Sequence, residues 1–452
     1  MRPRLTGSSV TTIRCTNGSY ELGRPGRLDH VLFEELSWRG LVQQVSDPEL
    51  GSLLDRERVV AYIGFDPTAD SLTLGNLLPV ITLMRLQRGG HRPIALAGGG
   101  TGMVGDPSGK SDERQLLTPD ILAANLAAIE GQLSRFLDFG PDQALLLNNY
   151  DWLGALGLLE FLRDVGKHFT VNSMIAKESV RSRLSEREQG ISYTEFSYML
   201  LQSYDFLHLF DVYGCRLQLG GSDQWGNITS GIDLIRRVRG ATAYGLTFPL
   251  VTRGDGTKFG KSEVGNVWLD AARTTPYAMY QFLVRSEDEM VGTYLRYFTF
   301  RPRDEIDALD AATRDHPERR EAQRVLAHDL VALVHGEDEA RRAEHASEVL
   351  FSEDIRDLDE ATLLAVMQEA PSSAAAVGQA LVDVLVDAGL AKSRREARTF
   401  LDQGGVYVNN RKVADVDATV TPEDLLHGRY ALLRRGKQSQ HLLRVSSGPR
   451  GG

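Results

Sequence analysis

The sequence predicts an α/β protein in which a parallel sheet with crossover helices is followed by an α-helical region and a small α+β module. Three observations carry that expectation. Residues 59–63 are a β-branched apolar run ending on Gly64, residues 77–86 an apolar helical stretch, and residues 93–97 a second buried strand. Strand, helix and strand within about 40 residues form the crossover unit of parallel sheets. Residues 216–219 then repeat a strand that opens into glycine, at Gly220 and Gly221. Finally, residues 302–351 are charged and helical in period, with Leu326, Leu330 and Leu333 marking one stripe, and residues 380–446 return to short mixed elements.

At 452 residues the chain is too long for one core, so several units are expected. The reading places a flexible tail over 1–27, the sheet domain over 28–265, a helical domain over 266–351, a linker over 352–379, the terminal module over 380–446 and a short tail over 447–452. The first tail is rich in Gly, Ser, Thr and Arg and has no secretory apolar core. A composition of 42% hydrophobic and 25% charged residues excludes wholesale disorder. No apolar run approaches the roughly 18 to 20 residues that a membrane helix needs, so no membrane partner is expected. With only Cys15 and Cys215 there is no disulfide framework or cysteine-rich metal site, which suits a reducing cytoplasm. The net charge is −10, yet residues 380–452 hold 12 Lys/Arg against 8 Asp/Glu, a net +4. A nucleic-acid surface would therefore be a local patch on an acidic body.

In chain order, residues 33–45 read as a short amphipathic helix before the first strand. The loop after that strand holds Asp66, Pro67, Thr68, Asp70 and Ser71, and the next helix begins past Gly75 and Asn76. A strand, a polar glycine-bearing loop and a helix start aim free N–H groups and a positive dipole end at a phosphate, although ordinary turns share this arrangement. Pro79 falls in the first helical turn, where a missing N–H is tolerated. Behind the second strand, Gly100, Gly102 and Gly105 fit the dinucleotide fingerprint, but Asp106-Pro107 blocks the helix it requires. Gly109-Lys110-Ser111 mimics a phosphate-binding P-loop, which would need glycine where Val104 stands. Residues 118–137 read as a helix with a Thr-Pro start, residues 144–148 as a strand, and residues 151–214 as mostly helical.

Within that helical stretch Tyr198, Gln202 and Asp205 share one face, because they are four and three apart. Such polar groups on an apolar helix require partners, in a structural hydrogen-bond network or in a ligand pocket. Downstream, Lys258-Phe259-Gly260-Lys261-Ser262 sets two lysines around a glycine, suited to polyphosphate. In the terminal module Ser393 and Glu396 form a capping box that puts Arg394, Arg395 and Arg398 in the first turns of a helix. Residues 406–413 form a hairpin with an Asn-Asn turn, carrying Arg411 and Lys412.

GFDPTADSL, GDPSGK, FSYMLLQSYDF, GGSDQWGN and KFGKS occur in that order. Together they resemble the class I aminoacyl-tRNA synthetases, and specifically the bacterial tyrosyl-tRNA synthetases, over about residues 28–445. The resemblance implies a Rossmann-like catalytic domain, an α-helical domain on the anticodon side and a C-terminal S4-type RNA-binding domain. It further implies a cytoplasmic homodimer, with residues 191–193 near the interface, that acts in protein biosynthesis on L-tyrosine, ATP and tRNA(Tyr). Mg2+ would be carried with ATP, and no tightly bound cofactor, metal site or DNA partner is expected.

By the same resemblance, Tyr62 and Asp205 would hold the phenolic hydroxyl of tyrosine. Tyr198, Gln202 and Asp106 would hold its ammonium group, with Gln224 near the carboxylate and α-phosphate. Gly64, Asp66, Gly221 and Asp223 would face adenosine, and Gly75 and Asn76 would sit against ATP. Thr68, Lys258, Lys261 and Ser262 would stabilise the departing pyrophosphate, and Arg394, Arg395, Arg398, Arg411 and Lys412 would meet RNA. The family's first signature usually begins with histidine, and Thr73 stands there in this sequence. A shorter, uncharged donor should weaken the contact to the γ-phosphate, so a slower but active enzyme is expected. The competing expectation is a non-catalytic paralogue acting as a tyrosine sensor or RNA-binding protein.

Overall fold

The computed structural model describes residues 32–446, apart from 109–116, 178–179, 182–183, 185–189, 263–264, 351–352, 369 and 437–438. The tails expected at 1–27 and 447–452, and Gly109-Lys110-Ser111, lie outside the described residues.

The first sheet has six strands: β1 (Gln44–Val45), β2 (Val60–Phe65), β3 (Arg92–Ala97), β4 (Leu145–Asn148), β5 (Cys215–Gly221) and β6 (Tyr244–Phe248). Their spatial order is β1-β6-β5-β2-β3-β4. All neighbours are parallel except β1, which runs antiparallel along β6 through Gln44↔Thr247. The central strands are apolar on both faces, as a sheet covered by helices on both sides requires. From β2 the chain crosses outward to β3 and β4, and then returns to β5 on the other flank of β2. That reversal opens a crevice beyond the carboxyl ends of β2 and β5, where open α/β sheets place their ligands.

The helices around the crevice start and stop on side-chain chemistry. Tyr193–Tyr213 begins with the Ser192 hydroxyl accepting from Glu195 N–H and ends at Gly214 with φ of +67°. Pro119–Leu133 starts with Thr118 as cap and proline in the first turn. Leu77–Arg88 follows a 3-10 turn over Leu74–Asn76 and buries nearly its whole length.

Two expectations need correction here. The helix expected over 33–45 is Leu32–Trp38 only; Gly40 at φ of +76° ends it, and Gln44 and Val45 join the sheet. Strand β6, with sequence YGLTF, was not expected, because it shows no alternation and carries glycine and threonine in a wholly buried stretch.

The helices Pro276–Val284, Asp288–Phe298, Arg303–Asp315, Glu321–His335 and Glu337–Val349 form the next region. Leu326 and Leu330 are buried as the stripe predicts, and Ala340, Ala343 and Ala346 let the neighbouring helix approach closely. Two guanidinium groups bolt this region to the sheet domain. Arg39 donates to the carbonyls of Arg296 (3.0 Å) and Thr299 (3.1 Å), and Arg85 to those of Tyr297 (2.9 Å) and Thr299 (2.7 Å). Cations at a helix C-terminus satisfy its free carbonyls and oppose its dipole.

After β7 (Lys261–Ser262) and β8 (Gly265–Asn266), the last sheet is built from β9 (Ser372–Ala376), β10 (Val406–Val408), β11 (Arg411–Val413), β12 (Tyr430–Arg435) and β13 (Ser439–Ser446), in the order β11-β10-β12-β13-β9. The turn between β10 and β11 is the expected one, with Asn409 and Asn410 at φ of 47° and 63°. The stretch expected as a linker, 352–379, instead carries the helix Glu360–Val366 and the edge strand β9, which pairs parallel to β13. Its sequence SSAAA has neither alternation nor β-branching, so only the pairing makes it a strand. Among the described residues no helix is long and apolar enough to cross a membrane.

Candidate active site

The crevice is a cavity of about 340 Å³. Its floor is set by Tyr62 on β2 and Asp205 on the helix Tyr193–Tyr213, both buried. Asp205 accepts from Asn149 Nδ2 at 2.9 Å and from the Trp152 indole N–H at 2.7 Å. Burial still dominates and lifts its carboxyl to about 7, with the Asp66 charge adding to the rise while the two hydrogen bonds oppose it. Among the described residues the Tyr62 hydroxyl has no hydrogen-bond partner, and neither has the buried Gln218 Oε1 on β5. Burial, then the nearby Asp205, raises the Tyr62 phenol well above its ordinary value, so it stays protonated and able to donate. Unpaired polar atoms in a buried floor are rare in folded proteins, and here they face space that a ligand can fill.

A hydrogen-bond chain climbs from the floor. Asn149 also donates to Thr101 Oγ1 (3.0 Å), Thr101 to Asp66 (3.1 Å), and Tyr198 reaches the same carboxylate at 3.3 Å. On the opposite wall Gln202 donates to Gln224 Oε1 at 3.2 Å and Gln224 donates to Asp106 at 2.6 Å. Asn227 ties Gln202 and Gln224 together from behind, at 3.0 and 3.2 Å. Tyr198, Gln202 and Asp205 are thus split between two networks that meet across one cavity.

At the upper edge the backbone comes close. A Cβ at Gly98 would lie 2.4 Å from Asp66 Oδ1, and one at Gly221 would lie 2.8 Å from Asp223 Oδ1, so a larger residue at either position would displace the carboxylate beside it. Asp223 is raised by burial and then by Asp106, with Lys258 opposing. Gly64, Thr68, Asn76 and Lys258 complete the cavity wall.

The two signature stretches meet at backbone contact. A Cβ on Gly260, at φ of +84°, would sit 3.0 Å from Gly75 N. Val267 N–H donates to Gly260 O and Leu74 N–H to Val267 O, both at 2.8 Å. Phe259 anchors the lysine loop in an aromatic cluster, with its ring centroid 4.4 Å from that of Tyr294 and 5.3 Å from that of Phe298. Thr73, Gly75 and Lys261 lie off the cavity wall, and Ser262 is placed by its backbone on β7. Thr73, expected to face the γ-phosphate, turns its hydroxyl onto Asn76 Oδ1 at 2.7 Å, because it begins the 3-10 turn.

Asn149, Trp152, Gln218 and Asn227 join the site without being among the residues expected there. Asn149 and Trp152 follow the end of β4, at the edge where strand ends feed the crevice; Gln218 is a buried polar residue between Leu217 and Leu219 of β5, a signal that was available.

Residues 54–352 match the family model described as tRNA synthetases class I (W and Y), and residues 363–443 match that of the tyrosine–tRNA ligase SYY-like C-terminal domain. The tyrosine–tRNA ligase of Roseiflexus castenholzii is 54% identical over 422 residues, covering 92% of this chain and 99% of that protein. The chain belongs to the tyrosine–tRNA ligase family. The Geobacillus stearothermophilus tyrosine–tRNA ligase is 53% identical over 92% of this chain and all of its own length. Among solved structures, a C-terminally truncated Aspergillus nidulans mitochondrial tyrosyl-tRNA synthetase superposes with a TM-score of 0.64 at 32% identity, covering 71% of this chain and 94% of that one. An Archaeoglobus fulgidus tyrosyl-tRNA synthetase, at 18% identity and TM-score 0.52, shares the fold.

The C-terminal module of this tyrosine–tRNA ligase family member presents Arg395 and Arg398 exposed on the helix Arg394–Asp402, beside exposed Arg411 and Lys412 on the hairpin. Arg394 pairs with Asp383 at 2.5 Å. Two further cations back the patch on aromatic rings, Arg434 over Tyr407 (4.2 Å) and Arg435 over Phe400 (5.0 Å).

Proposed function

We propose that this chain activates L-tyrosine with ATP to tyrosyl-adenylate and pyrophosphate, and then transfers tyrosine to the 3′ end of tRNA(Tyr). The observation that carries the reading is the unpaired, protonated Tyr62 hydroxyl beside the buried Asp205 at the cavity floor. A phenolic hydroxyl placed there accepts from Tyr62 and donates to the Asp205 carboxylate. Phenylalanine would leave the Tyr62 hydroxyl buried without a partner and the Asp205 carboxylate with only Asn149 and Trp152, the means by which the tyrosine enzymes of this class are known to reject it. Tyr198, Gln202, Asp106 and Gln224 then surround the α-ammonium and carboxylate, and Asp66, Gly64, Gly221 and Asp223 the adenosine.

The tyrosine carboxylate is itself the nucleophile toward the α-phosphorus of ATP, so alignment and charge stabilisation suffice. Thr68, Lys258, Lys261 and Ser262 meet the charge that develops on pyrophosphate, Gly75 and Asn76 lie against the nucleotide, and Mg2+ arrives with it. The domains follow the ranges given above, with β9 added to the RNA-binding unit. There, Arg394, Arg395, Arg398, Arg411 and Lys412 lie at phosphate-contact positions for tRNA. We place the protein in the cytoplasm as a homodimer; exposed Leu158, Leu159, Leu162, Val171 and Tyr193 support a face that a second copy covers. A non-catalytic paralogue has no need of both the intact floor and the intact lysine loop.

The deciding experiment is tyrosine-dependent ATP–pyrophosphate exchange by the purified chain, with phenylalanine as control. Exchange with tyrosine alone supports the reading. Tyrosine binding without exchange would leave the sensor.

A further inference from the structure

Thr73 and Asn76 of the first signature are joined to each other. Asn76 Oδ1 accepts the Thr73 hydroxyl at 2.7 Å and the Thr73 backbone N–H at 3.0 Å, and the Asn76 N–H returns to the Thr73 carbonyl at 2.9 Å. A backbone N–H can only donate, so the atom it meets must be the amide oxygen, which fixes which way the Asn76 amide faces. Asn76 lines the cavity, and its Nδ2 has no hydrogen bond to any described residue. It is the donor left over for a ligand, beside Thr68 and Lys258.

We infer that Thr73 is a positioning residue: its hydroxyl holds the Asn76 carboxamide with Nδ2 directed at an oxygen of the bound nucleotide. The inference rests on the tyrosine-activation reading and deepens it, since the nucleotide is the ATP of that reaction. Without the hydroxyl, Oδ1 keeps only the backbone N–H, and the amide gains rotational freedom that nucleotide binding must then remove. The Thr73 hydroxyl therefore acts through Asn76 and touches no phosphate. Because the pair is separate from the floor networks around Asp205 and Gln224, tyrosine affinity is independent of it.

The test is a double-mutant cycle read by exchange kinetics and by calorimetric ATP affinity. Thr73→Val keeps the shape and deletes the hydroxyl; it is expected to lower kcat/KM for ATP about five- to tenfold, the size of one hydrogen bond. The tyrosine KM stays within twofold. Thr73→Ser restores most of the loss. In an Asn76→Ala background, Thr73→Val is expected to cost less than twofold, because its only route has been removed. A Thr73→Val loss that persists undiminished beside Asn76→Ala, or one that Thr73→Ser fails to restore, overturns the inference. Absence of exchange in the wild-type chain would sink tyrosine activation instead, and the same cycle in ATP affinity would still decide the coupling. Tyrosine affinity, measured in every variant, reports that the fold is intact.

Discussion

The indole N–H of Trp152 donates to Asp205 Oδ1 at 2.7 Å, while the Trp152 ring stacks on His208 with 4.3 Å between centroids and 17° between planes. The stack holds the indole edge against the carboxylate, so Trp152 sets where the acceptor for the substrate hydroxyl points. Trp152→Phe keeps an aromatic face for His208 and removes the donor. A hydrogen bond to a charged acceptor is worth about 1.5 to 3 kcal/mol. The expected result is a tyrosine KM raised about tenfold or more with the ATP KM unchanged, measured by exchange kinetics. An unchanged tyrosine KM would show that Asn149 alone positions Asp205.

Asp205 also predicts a pH dependence. Its folded carboxyl titrates at about 7 because burial disfavours the charge, against an unfolded value of 3.8. The folded state therefore holds the proton more tightly, and the free protein's stability falls as pH rises from about 4 to about 7 and is flat above. Tyrosine binding has the opposite trend, because the ionised carboxylate is the acceptor: affinity rises through pH 7. In Asp205→Asn both trends should flatten, which urea unfolding at pH 5 and 8, together with tyrosine binding over the same range, will reveal. A stability profile identical in wild type and Asp205→Asn would show that Asp205 titrates as it does in the unfolded chain.

Tyr62→Phe should separate stability from function. Among the described residues the wild-type hydroxyl is buried without a partner, and an unsatisfied buried group costs about 1 to 3 kcal/mol. The variant is therefore expected to unfold at higher denaturant, by about 1 kcal/mol in the free protein, while its preference for tyrosine over phenylalanine drops at least tenfold. Loss of stability would mean that the hydroxyl has a partner in the free protein.

These floor residues also show which features of the site were legible. Tyr198, Gln202 and Asp205 were visible as polar groups spaced along one face of an apolar helix, β2 and β3 as apolar runs ending in glycine or alanine, and β5 as a short strand opening into Gly220 and Gly221. What stayed hidden depends on pairing across long sequence separations. Asn149 and Trp152 reach Asp205 from more than fifty positions away and carry no periodic signal. Strand β9 exists because β13 presents it an edge, and β6 because its neighbours bury it on both faces. The Thr73 substitution could be read as a missing histidine; that its hydroxyl is used on Asn76 could not.

Phe259 ties the lysine loop to the helices beyond the sheet domain. Its ring is buried against Phe282, Tyr294 and Phe298. Replacing such a ring with alanine costs about 3 to 5 kcal/mol. Phe259→Ala should therefore lower stability by that order, and Phe259→Leu, which refills part of the volume, by less. Both should lower kcat at least tenfold by loosening Lys258 and Lys261, with tyrosine affinity unchanged. Exchange kinetics and urea unfolding on the same samples check this; a Phe259→Leu enzyme with wild-type kcat would show that the lysines need no anchor.

Thr73→His sets two effects against each other. Imidazole is longer than threonine's side chain and offers a donor that can reach from off the cavity wall toward the departing pyrophosphate. One such donor is worth roughly 3 kcal/mol in the transition state of other enzymes, and Thr68 with the two lysines already supplies part of that stabilisation. The same change removes the hydroxyl that holds Asn76, worth about 1 kcal/mol. The transition-state term is the larger and appears in kcat, whereas the lost anchor appears in ATP binding. The expected enzyme has kcat raised about tenfold and a KM for ATP raised about fivefold, read from exchange rates over a full ATP titration. A fall in kcat/KM for ATP would show that the Asn76 anchor outweighs the added donor, and that threonine at this position is the better residue for this active site.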